Sequence, residues 1–277
     1  MLIFDGNNFL WRAAFSGRGL ISRGRPTGAL YISLSMLAAL PSLFTPQQVI
    51  FLWDSRESWR RKILSQYKRN RKSTDDVERT AVYKQMDSFR EVLDGIGVIQ
   101  HQVEKLEADD LAGILTTNLL KSGRKVTLVS GDKDWFQLLG PGVTQVRGWQ
   151  GKKKDVWTEK RFQETYHVSP QDWPRYLALV GDTSDNIPNA QRGIGPVAAL
   201  KVMRGEFRLT EGGQRQYEQN LKVTPILRAY PSAFNVNPKY ALRNRKILED
   251  VISEFELFSL SGEQDHIWEV GGWRDPK

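Results

Sequence analysis

Four short apolar runs, separated by stretches with helical periodicity, constrain the fold of this chain most strongly. The runs are Leu2–Phe4, Val49–Trp53, Ile96–Gln100 and Val126–Val129. Apolar runs of this length are typical of strands that are buried on both faces, as they are in parallel sheets. Because helix-like stretches alternate with them, the sequence predicts a doubly wound α/β domain with a mostly parallel sheet.

The segments between and after these runs predict several helices. Helices are expected over Thr27–Leu40 and over Thr74–Asp94. The second has one apolar face, formed by Val82, Met86, Phe89 and Leu93. From Trp157 onward the pattern is mostly helical, with turn residues between Gly181 and Gly195, and Tyr240–Ile252 is a further predicted helix.

Length and composition exclude several classes of protein. The 277 residues suffice for two modest domains, which we place at 1–156 and 157–277. The absence of cysteine excludes disulfides and thiolate zinc sites, and the three histidines lie far apart in sequence. The longest apolar segment, Ala29–Phe44, contains Pro41 and is shorter than the roughly 20 residues of a membrane span. With no signal peptide apparent, we expect a soluble, cytoplasmic protein without a membrane partner.

Acidic residues follow three of the four apolar runs. Asp5, Asp54 and Asp132 stand at or just beyond the carboxyl ends of the first, second and fourth runs. In open parallel sheets, ligands bind beyond these strand ends. Six further acids stand close to these three or in short groups later in the chain: Glu107, Asp109, Asp110, Asp134, Asp182 and Asp185. Any one of them is equally well explained as a helix cap or a turn residue, so the prediction depends on their joint occurrence.

A one-sided cluster of nine carboxylates repels itself unless cations neutralise it. Carboxylate oxygens without histidine or cysteine suit Mg²⁺ or Mn²⁺. Nine acids exceed what one ion needs, whereas a pair of ions would use them, and paired ions are a known device for phosphodiester displacement. The sequence therefore predicts two Mg²⁺ (or Mn²⁺) ions at this edge of the sheet.

A strongly basic segment follows Asp54 directly. Between Arg56 and Lys72 the chain has a net charge of +7, nearly the whole of its overall +8. A positive patch beside a metal site would attract a phosphate backbone, and its aromatic residues Trp59 and Tyr67 could stack on an unpaired base. The alternative is a solvated basic helix with Trp59 in the core, and net charge alone does not separate nucleic acid from an acidic membrane surface.

A glycine turn, Gly193–Pro196, precedes a predicted helix at Val197–Met203. Glycines permit close approach of the backbone, and amides at a helix N-terminus can hold a phosphate. A turn of this kind can equally be a simple connection between two helices.

Taken together, these motifs resemble the 5′-nuclease superfamily, which includes phage 5′–3′ exonucleases, flap endonucleases and the 5′-nuclease domain of bacterial DNA polymerase I. The resemblance extends from Ile3 to about Met203 and is most specific at Leu177–Pro188 followed by Gly193–Pro196. Further matching motifs are Asp5–Asn8 with Arg12, Trp59–Arg60, Tyr67–Lys68 with Arg71, Glu107–Asp110 and Gly131–Asp134. Two departures are the Asn189–Arg192 link and Val197, which stands where the family commonly has lysine.

The resemblance implies a PIN-like nuclease domain with a basic helical arch at about 56–94. It also implies a helical C-terminal DNA-binding region containing a helix-three-turn-helix motif at about 176–204. One metal would be held by Asp5, Asp54, Glu107, Asp109 and Asp110, and the other by Asp132, Asp134, Asp182 and Asp185. Lys68 and Arg71 would contact the scissile phosphate and, with Asp5 and Asp132, form the catalytic set.

The resemblance also implies residues that contact DNA. Arg12 and Arg60 would contact the DNA, Tyr67 would lie near the 5′ nucleotide, and Gly193, Gly195 and Lys201 would hold the duplex, with K⁺ at the glycine turn. The expected activity is that of a monomeric 5′–3′ exonuclease or flap endonuclease acting on DNA with a 5′ flap, a nick or a 5′ end. Two alternatives stay open at this point: a PIN-type ribonuclease, and a structure-specific DNA-binding protein without catalysis.

Overall fold

The computed structural model describes residues 1–69, 76–229 and 242–274, and gives only the backbone of residues 76 and 77. The strands are β1 (Leu2–Asp5), β2 (Ile21–Ser22), β3 (Arg25–Pro26), β4 (Val49–Trp53), β5 (Ile99–Gln102), β6 (Val126–Val129), β7 (Val143–Gln150) and β8 (Lys153–Trp157). The helices are α1 (Gly6–Ser16), α2 (Gly28–Ala38), α3 (Leu40–Leu43), α4 (Asp76–Ile96), α5 (Ala108–Lys121), α6 (Glu159–Tyr166), α7 (Trp173–Val180), α8 (Pro196–Met203), α9 (Glu211–Leu221), α10 (Arg245–Glu254) and α11 (Gln264–Gly272). Short 3₁₀ helices occupy Trp59–Lys62, Asp134–Leu138, Pro170–Asp172 and Phe258–Glu263.

The central sheet has the strand order β5-β4-β1-β6-β7-β8, and β2 and β3 form a separate hairpin. The first five strands of the central sheet are parallel, and only β8 runs antiparallel to its neighbour β7. The register aligns Phe4 with Phe51 on one side and with Val129 on the other. The predicted α/β fold with a mostly parallel sheet is confirmed.

Side chains from the two faces of the sheet enter two different cores, as expected for a doubly wound fold. Phe4 and Phe51 pack with α1, α2, α4, α10 and α11 on one face, and their rings stack with centroids 4.7 Å apart. Ile3 and Leu52 point to the other face and pack against α5. Residues 2–4 of β1 and all of β4 are therefore apolar, which is why these runs were visible in the sequence.

Three of the four predicted strands match β1, β4 and β6. The remaining one, predicted at Ile96–Gln100, corresponds to β5 at Ile99–Gln102. Ile96 belongs to the end of α4, where it is fully buried, and the strand begins at Ile99. Gly97 separates the two elements with φ +86°, a left-handed conformation that ends a helix and favours glycine. The apolar run at 96–100 thus combined the last turn of a helix with the start of a strand.

No sequence pattern predicted β7 and β8. β7 places polar residues such as Gln145 and Arg147 between its apolar ones, so its composition does not read as a buried strand. Gln145 is nevertheless fully buried. These two strands extend the sheet beyond β6, next to the loop that carries Asp132.

The predicted helices over 27–40 and 74–94 are confirmed as α2 with α3 and as α4, and the start of the second, residues 74 and 75, lies outside the described residues. All four residues of the apolar face of α4 are buried. Much of the predicted arch range 56–94 is therefore a helix of the core. The predicted helix over 240–252 corresponds to α10, and residues 240 and 241 lie outside the described residues.

The C-terminal residues divide between two regions of the molecule. Helices α6 to α8 surround an aromatic core that includes Phe136, Phe162 and Trp173. Helices α10 and α11, which we had assigned to the second domain, return to pack with α4 in the first core. In the described part of the chain, no helix combines the length and the apolar character needed to cross a bilayer.

Candidate metal centre

The first carboxylate of the centre is Asp5, the last residue of β1 and the N-cap of α1. Its Oδ1 accepts the backbone N–H of Asn8 at 2.9 Å, and its Oδ2 accepts the hydroxyl of Ser130 at 2.9 Å. Because β1 lies between β4 and β6 in the sheet, Asp5 stands at the middle of the strand ends. The side chain is buried and held on both oxygens.

Two further aspartates meet Asp5 from other elements. Asp132 follows β6, and its Oδ1 accepts the N–H of Asp134 at 2.8 Å. Asp109 lies in the first turn of α5, where its Oδ1 accepts the indole N–H of Trp135 at 2.6 Å. One carboxylate oxygen each from Asp5, Asp109 and Asp132 lies within 4.8 Å of the others. We refer to these three residues as the aspartate triad.

Burial and mutual repulsion disfavour the charged forms of these carboxylates. Burial, followed by the charges of Asp54 and Asp132, raises the pKa of Asp5 to about 7. Burial and the nearby Asp132 also raise the pKa of Asp109 well above its ordinary value. A divalent cation would relieve this repulsion, and hard oxygen donors alone fit Mg²⁺ or Mn²⁺. The residues of the triad are therefore suited to holding such an ion.

A second acidic group, formed by Asp134, Asp182 and Asp185, lines a small cleft that also contains Asp109. Burial and the charges of Asp132 and Asp185 raise the pKa of Asp134 well above its ordinary value. Asp109 therefore belongs to the triad and also lines the cleft of the second acidic group. Asp132, which the resemblance grouped with the second set, meets Asp5 and Asp109 in the triad.

The loop after α7 positions Asp182 and Asp185. Asp182 Oδ1 accepts the backbone N–H groups of Ser184 at 2.7 Å and of Asp185 at 3.2 Å. Asp182 also pairs with Ile187 through reciprocal backbone hydrogen bonds, which closes the loop. This tight turn begins at Gly181, whose φ of +73° requires glycine.

Asp54 lies at the end of β4 and contacts the start of α5. Its Oδ1 accepts the N–H of Ala108 at 2.9 Å, so the carboxylate caps the helix that carries Asp109. Asp54 thus joins a strand end to a helix N-terminus. Its charge is also the second cause of the raised pKa of Asp5.

Glu107 and Asp110 differ from the triad because basic side chains neutralise them. Arg60 Nη1 donates to Glu107 Oε2 at 2.8 Å and to Asp110 Oδ2 at 2.7 Å, and Arg60 Nη2 donates to Asp110 Oδ1 at 2.8 Å. Burial acts to raise the pKa of Glu107, but Lys68 and Arg60 outweigh it and hold that pKa at about 2. Asp110 also accepts the indole N–H of Trp59 at 2.9 Å. The geometry favours a role for Asp110 in holding Arg60 and the start of α5 in place.

Two residues expected to contact DNA are instead buried among these acids. Arg60 is only 2% exposed, so its guanidinium does not face a DNA surface. Tyr67 is 3% exposed, and its hydroxyl lies 3.1 Å from Glu107 Oε2 and 2.9 Å from Asp185 Oδ2. In this arrangement the ring of Tyr67 is not open to a base.

Lys68 is the basic residue closest to the centre of the cluster. Its ammonium group donates to Glu107 Oε1 and lies 3.7 Å from Asp185 Oδ2. Burial acts to lower the pKa of Lys68, but Tyr67 and Glu107 outweigh it and raise that pKa well above its ordinary value. Together with Arg60, Lys68 therefore places two fixed positive charges from the basic segment among the carboxylates. Arg71, the other residue expected at the scissile phosphate, lies outside the described residues.

Arg12 lies beside the loop that carries Asp132, together with an arginine that the sequence analysis did not single out. Arg12 Nη1 donates to the carbonyl of Arg147 at 2.7 Å, and Arg147 Nη2 donates to the carbonyl of Gly131 at 2.8 Å. Burial, followed by the charge of Arg147, lowers the pKa of Arg12. Two positive charges thus flank the strand end after β6.

The glycine turn lies between α7 and α8, as the sequence predicted. Gly193 has φ +88°, Gly195 is the N-cap of α8, and Asn189 Nδ2 closes the loop by donating to Ile194 O at 2.9 Å. Lys201 is exposed on α8, and Val197 is 70% exposed. Gly193, Val197 and Lys201 are exposed, whereas Ile194 is buried.

The segment after α9 contributes to the site although no sequence motif indicated it. Arg60 donates to the carbonyls of Val223 at 2.8 Å and of Pro225 at 2.9 Å, and Leu227 N–H donates to Asp110 Oδ1 at 3.2 Å. In α9 itself, the fully buried Asn220 donates to Ala178 O at 2.9 Å. These contacts are mostly backbone groups, which leave no pattern in the sequence.

Comparison with known proteins identifies the family. A family model described as the 5′–3′ exonuclease, N-terminal resolvase-like domain, matches residues 1–167. The chain belongs to the 5′–3′ exonuclease family. Within this family it is 32% identical over 206 residues to a 5′–3′ exonuclease of Aquifex aeolicus (strain VF5), a match that covers 74% of this chain and 68% of that protein. It is also 30% identical over 262 residues to DNA polymerase I of Mycobacterium bovis, covering 93% of this chain and 28% of the polymerase.

Solved structures of the same fold extend the comparison. The T5 D15 protein co-crystallised with metal ions is similar with a TM-score of 0.65 at 19% identity, covering 97% of this chain and 98% of that one. Flap endonuclease-1 from Methanococcus jannaschii is similar with a TM-score of 0.61 at 16% identity, covering 98% of this chain and 92% of that one. The family match confirms the predicted superfamily and the 5′–3′ exonuclease class, and the solved structures share the fold.

Proposed function

We propose that this member of the 5′–3′ exonuclease family is a divalent-metal-dependent, structure-specific nuclease that hydrolyses DNA near junctions between single strand and duplex. Its substrates would be DNA with a 5′ flap, a nick or a 5′ end. The observation that carries the proposal is the aspartate triad, whose three carboxylate oxygens lie within 4.8 Å of one another at the ends of the central strands.

The ligands proposed for two Mg²⁺ (or Mn²⁺) ions follow from the same geometry. Asp5, Asp109 and Asp132 would hold one ion, and the second acidic group together with Asp109 would hold the other. When bound, a pair of such ions activates the attacking water and stabilises the leaving oxygen of a phosphodiester. The raised pKa values of Asp5, Asp109 and Asp134 support this assignment, because these carboxylates are buried and are repelled by neighbouring carboxylates.

Basic residues around the cluster would position the phosphate backbone. The ammonium group of Lys68 already lies among the carboxylates and could donate to a phosphoryl oxygen, offsetting the charge that develops there. Arg12 and Arg147 flank the loop of Asp132 and would attract the adjacent phosphates. Arg71 is proposed as a further phosphate contact on the resemblance alone.

The duplex part of the substrate would bind at α7, α8 and the turn between them. We propose that this region is a helix-three-turn-helix motif, in which Gly193 and Gly195 allow close approach of the backbone to a phosphate. Lys201 would supply a positive charge one turn beyond Val197, and K⁺ is the proposed ion at the turn. The substrate would be engaged by a monomer.

Product mapping tests the proposal. The chain should cut a 5′-labelled flap substrate in Mg²⁺ at the junction and leave a 5′-phosphate. The double substitution Asp132→Asn plus Asp134→Asn should slow cleavage by more than about 100-fold, since even partners of metal ligands contribute 10- to 100-fold. The matched control is Asp87→Asn, an exposed aspartate of α4, which should cut at the unchanged rate.

Two further measurements separate the proposal from its alternatives. Equal or faster cleavage of an RNA flap than of the DNA flap would identify a ribonuclease. Binding of DNA without product in Mg²⁺, Mn²⁺ and Co²⁺ would identify a binding protein without catalysis. An undiminished rate in the double variant would overturn the assignment of the carboxylates.

A further inference from the structure

Two asparagines at the start of α1 reach from the central strand to both neighbouring strand ends. Asn7 Oδ1 accepts the backbone N–H of Asp54, just beyond β4, at 2.8 Å. Asn8 Oδ1 accepts the backbone N–H of Gly131, just beyond β6, at 2.9 Å. The two amides therefore connect β1 with the residues that continue β4 and β6.

The geometry of α1 explains why two consecutive residues can do this. The helix begins directly after Asp5, and successive side chains on a helix point about 100° apart, so residues 7 and 8 reach opposite neighbours. The helix also lies very close to β4, because a Cβ on Gly6 would come within 2.6 Å of the Trp53 ring. This close approach brings short asparagine side chains within hydrogen-bond distance of the neighbouring backbones.

The peptide groups that the asparagines hold belong to one acidic residue and to the neighbour of another. The N–H bound by Asn7 belongs to Asp54, and the N–H bound by Asn8 belongs to the residue before Asp132. The N–H of Asn8 in turn donates to Asp5 Oδ1 at 2.9 Å. Asn7 and Asn8 thus connect Asp5 with Asp54 and with the residue before Asp132 through direct hydrogen bonds.

We propose that Asn7 and Asn8 are positioning residues that set the spacing of Asp5, Asp54 and Asp132 for divalent-cation binding, an inference that rests on the proposed function. Neutral amides fit this task, because they fix the backbone without adding charge to a cluster that already repels itself. Partners of metal ligands affect metal affinity by about 10- to 100-fold in other proteins. A role limited to folding would lower stability without changing the affinity of the folded protein.

The test measures Mn²⁺ binding without DNA, by electron paramagnetic resonance titration of the full chain. Asn7→Ala and Asn8→Ala should each weaken Mn²⁺ binding by about tenfold or more. The matched control is Asn244→Ala. Asn244 also accepts a backbone N–H, that of Lys246 at 3.1 Å, but it caps α10, which carries none of the nine acids. The control should lose stability and keep the Mn²⁺ affinity of the wild-type chain.

Conservative variants keep the inference testable if the alanine variants fold poorly. Asn7→Ser and Asn8→Ser retain a neutral acceptor oxygen on a short side chain and should bind Mn²⁺ more tightly than the corresponding alanine variants. Unchanged affinity in folded Asn7→Ala and Asn8→Ala, beside normal binding by the wild-type chain, would overturn this inference alone. A wild-type chain that binds no Mn²⁺ would overturn the proposed function and this inference together.

Discussion

Arg60 Nη1 lies 2.7 Å from Asp110 Oδ2, and the two side chains are only 3% and 0% exposed. The arginine comes from the basic segment after β4, and the aspartate from the first turn of α5. Burial acts to lower the pKa of Arg60, but Asp110 outweighs it and raises that pKa well above its ordinary value. One member of a segment expected to bind DNA therefore fixes the helix that carries Asp109.

Removing the charge of Arg60 should destabilise the fold. Arg60→Met leaves Asp110 and Glu107 with less compensation in a buried site, and breaking a buried ion pair costs about 3–5 kcal/mol. Urea unfolding should show a loss of that size. Arg61→Met removes an exposed charge next to it and should change stability by less than about 0.5 kcal/mol. Equal losses in the two variants would contradict this role of Arg60.

Lys68→Met should separate metal binding from cleavage. Without the ammonium group, Glu107 and Asp185 lose a nearby positive charge, so Mn²⁺ should bind more tightly, by roughly three- to tenfold. Cleavage of a flap substrate should slow by about 100-fold or more, because a donor to the phosphoryl oxygens is lost. Lys62→Met, at an exposed position of the same segment, is the control. Weaker Mn²⁺ binding in Lys68→Met would contradict the expected competition between the two cations.

The metal-free protein should lose stability as pH rises from about 4 to 7. The folded-state pKa of Asp5, about 7, lies above its ordinary value of 3.8, so the folded chain holds a proton that the unfolded chain has released. This contribution is complete below pH 4 and is lost through pH 7. The melting temperature of metal-free Asp5→Asn should fall less over the same range. If the two proteins show the same pH dependence, Asp5 does not carry this proton.

Mn²⁺ should stabilise the protein at high pH, where Asp5 has lost its proton. At a concentration one hundred times its dissociation constant, Mn²⁺ should raise the melting temperature by about 5–10 °C at pH 8. The same concentration should have a smaller effect at pH 5, where protons occupy Asp5 and compete with the ion. Scanning calorimetry at both pH values measures the difference. A larger shift at pH 5 than at pH 8 would contradict the expectation.

Gly181→Ala should disturb the turn that presents the second acidic group. Gly181 has φ +73° and ψ 176°, a region almost restricted to glycine, and an added Cβ would lie 2.7 Å from Ile187 O. A loss of about 2 kcal/mol or more is expected on urea unfolding, with weaker Mn²⁺ binding in the folded protein. Gly262→Ala, where an added Cβ meets no atom within 4 Å, is the control. Equal stability of the two variants would mean that the turn tolerates a side chain.

The sequence allowed the position of the cluster to be predicted because parallel strands end on the same edge of a sheet. Asp5 and Asp132 follow buried strands, and a local rule was enough to bring them together. The charge state of the other acids was not predictable in the same way. Arg60 and Lys68 belong to one basic segment, yet they neutralise Glu107 and Asp110 rather than facing solvent, and only the folded path of that segment shows this.

β7 and the segment after α9 were not predicted from the sequence for a different reason. β7 carries Gln145, whose amide donates to Ser130 O at 2.9 Å and to Asp132 O at 2.7 Å. This buried polar residue therefore holds the backbone of the neighbouring loop. An alternation rule treats such a residue as exposed. The segment after α9 acts through its backbone, so no residue type indicates its position.

The place of β1 in the middle of the sheet has a consequence for synthesis. β1 pairs with residues 49–52 on one side and with residues 127–129 on the other, both of which are synthesised after it. Asp132 and Asp185 emerge still later. A chain under synthesis therefore cannot bring the nine acids together until residue 185 has left the ribosome.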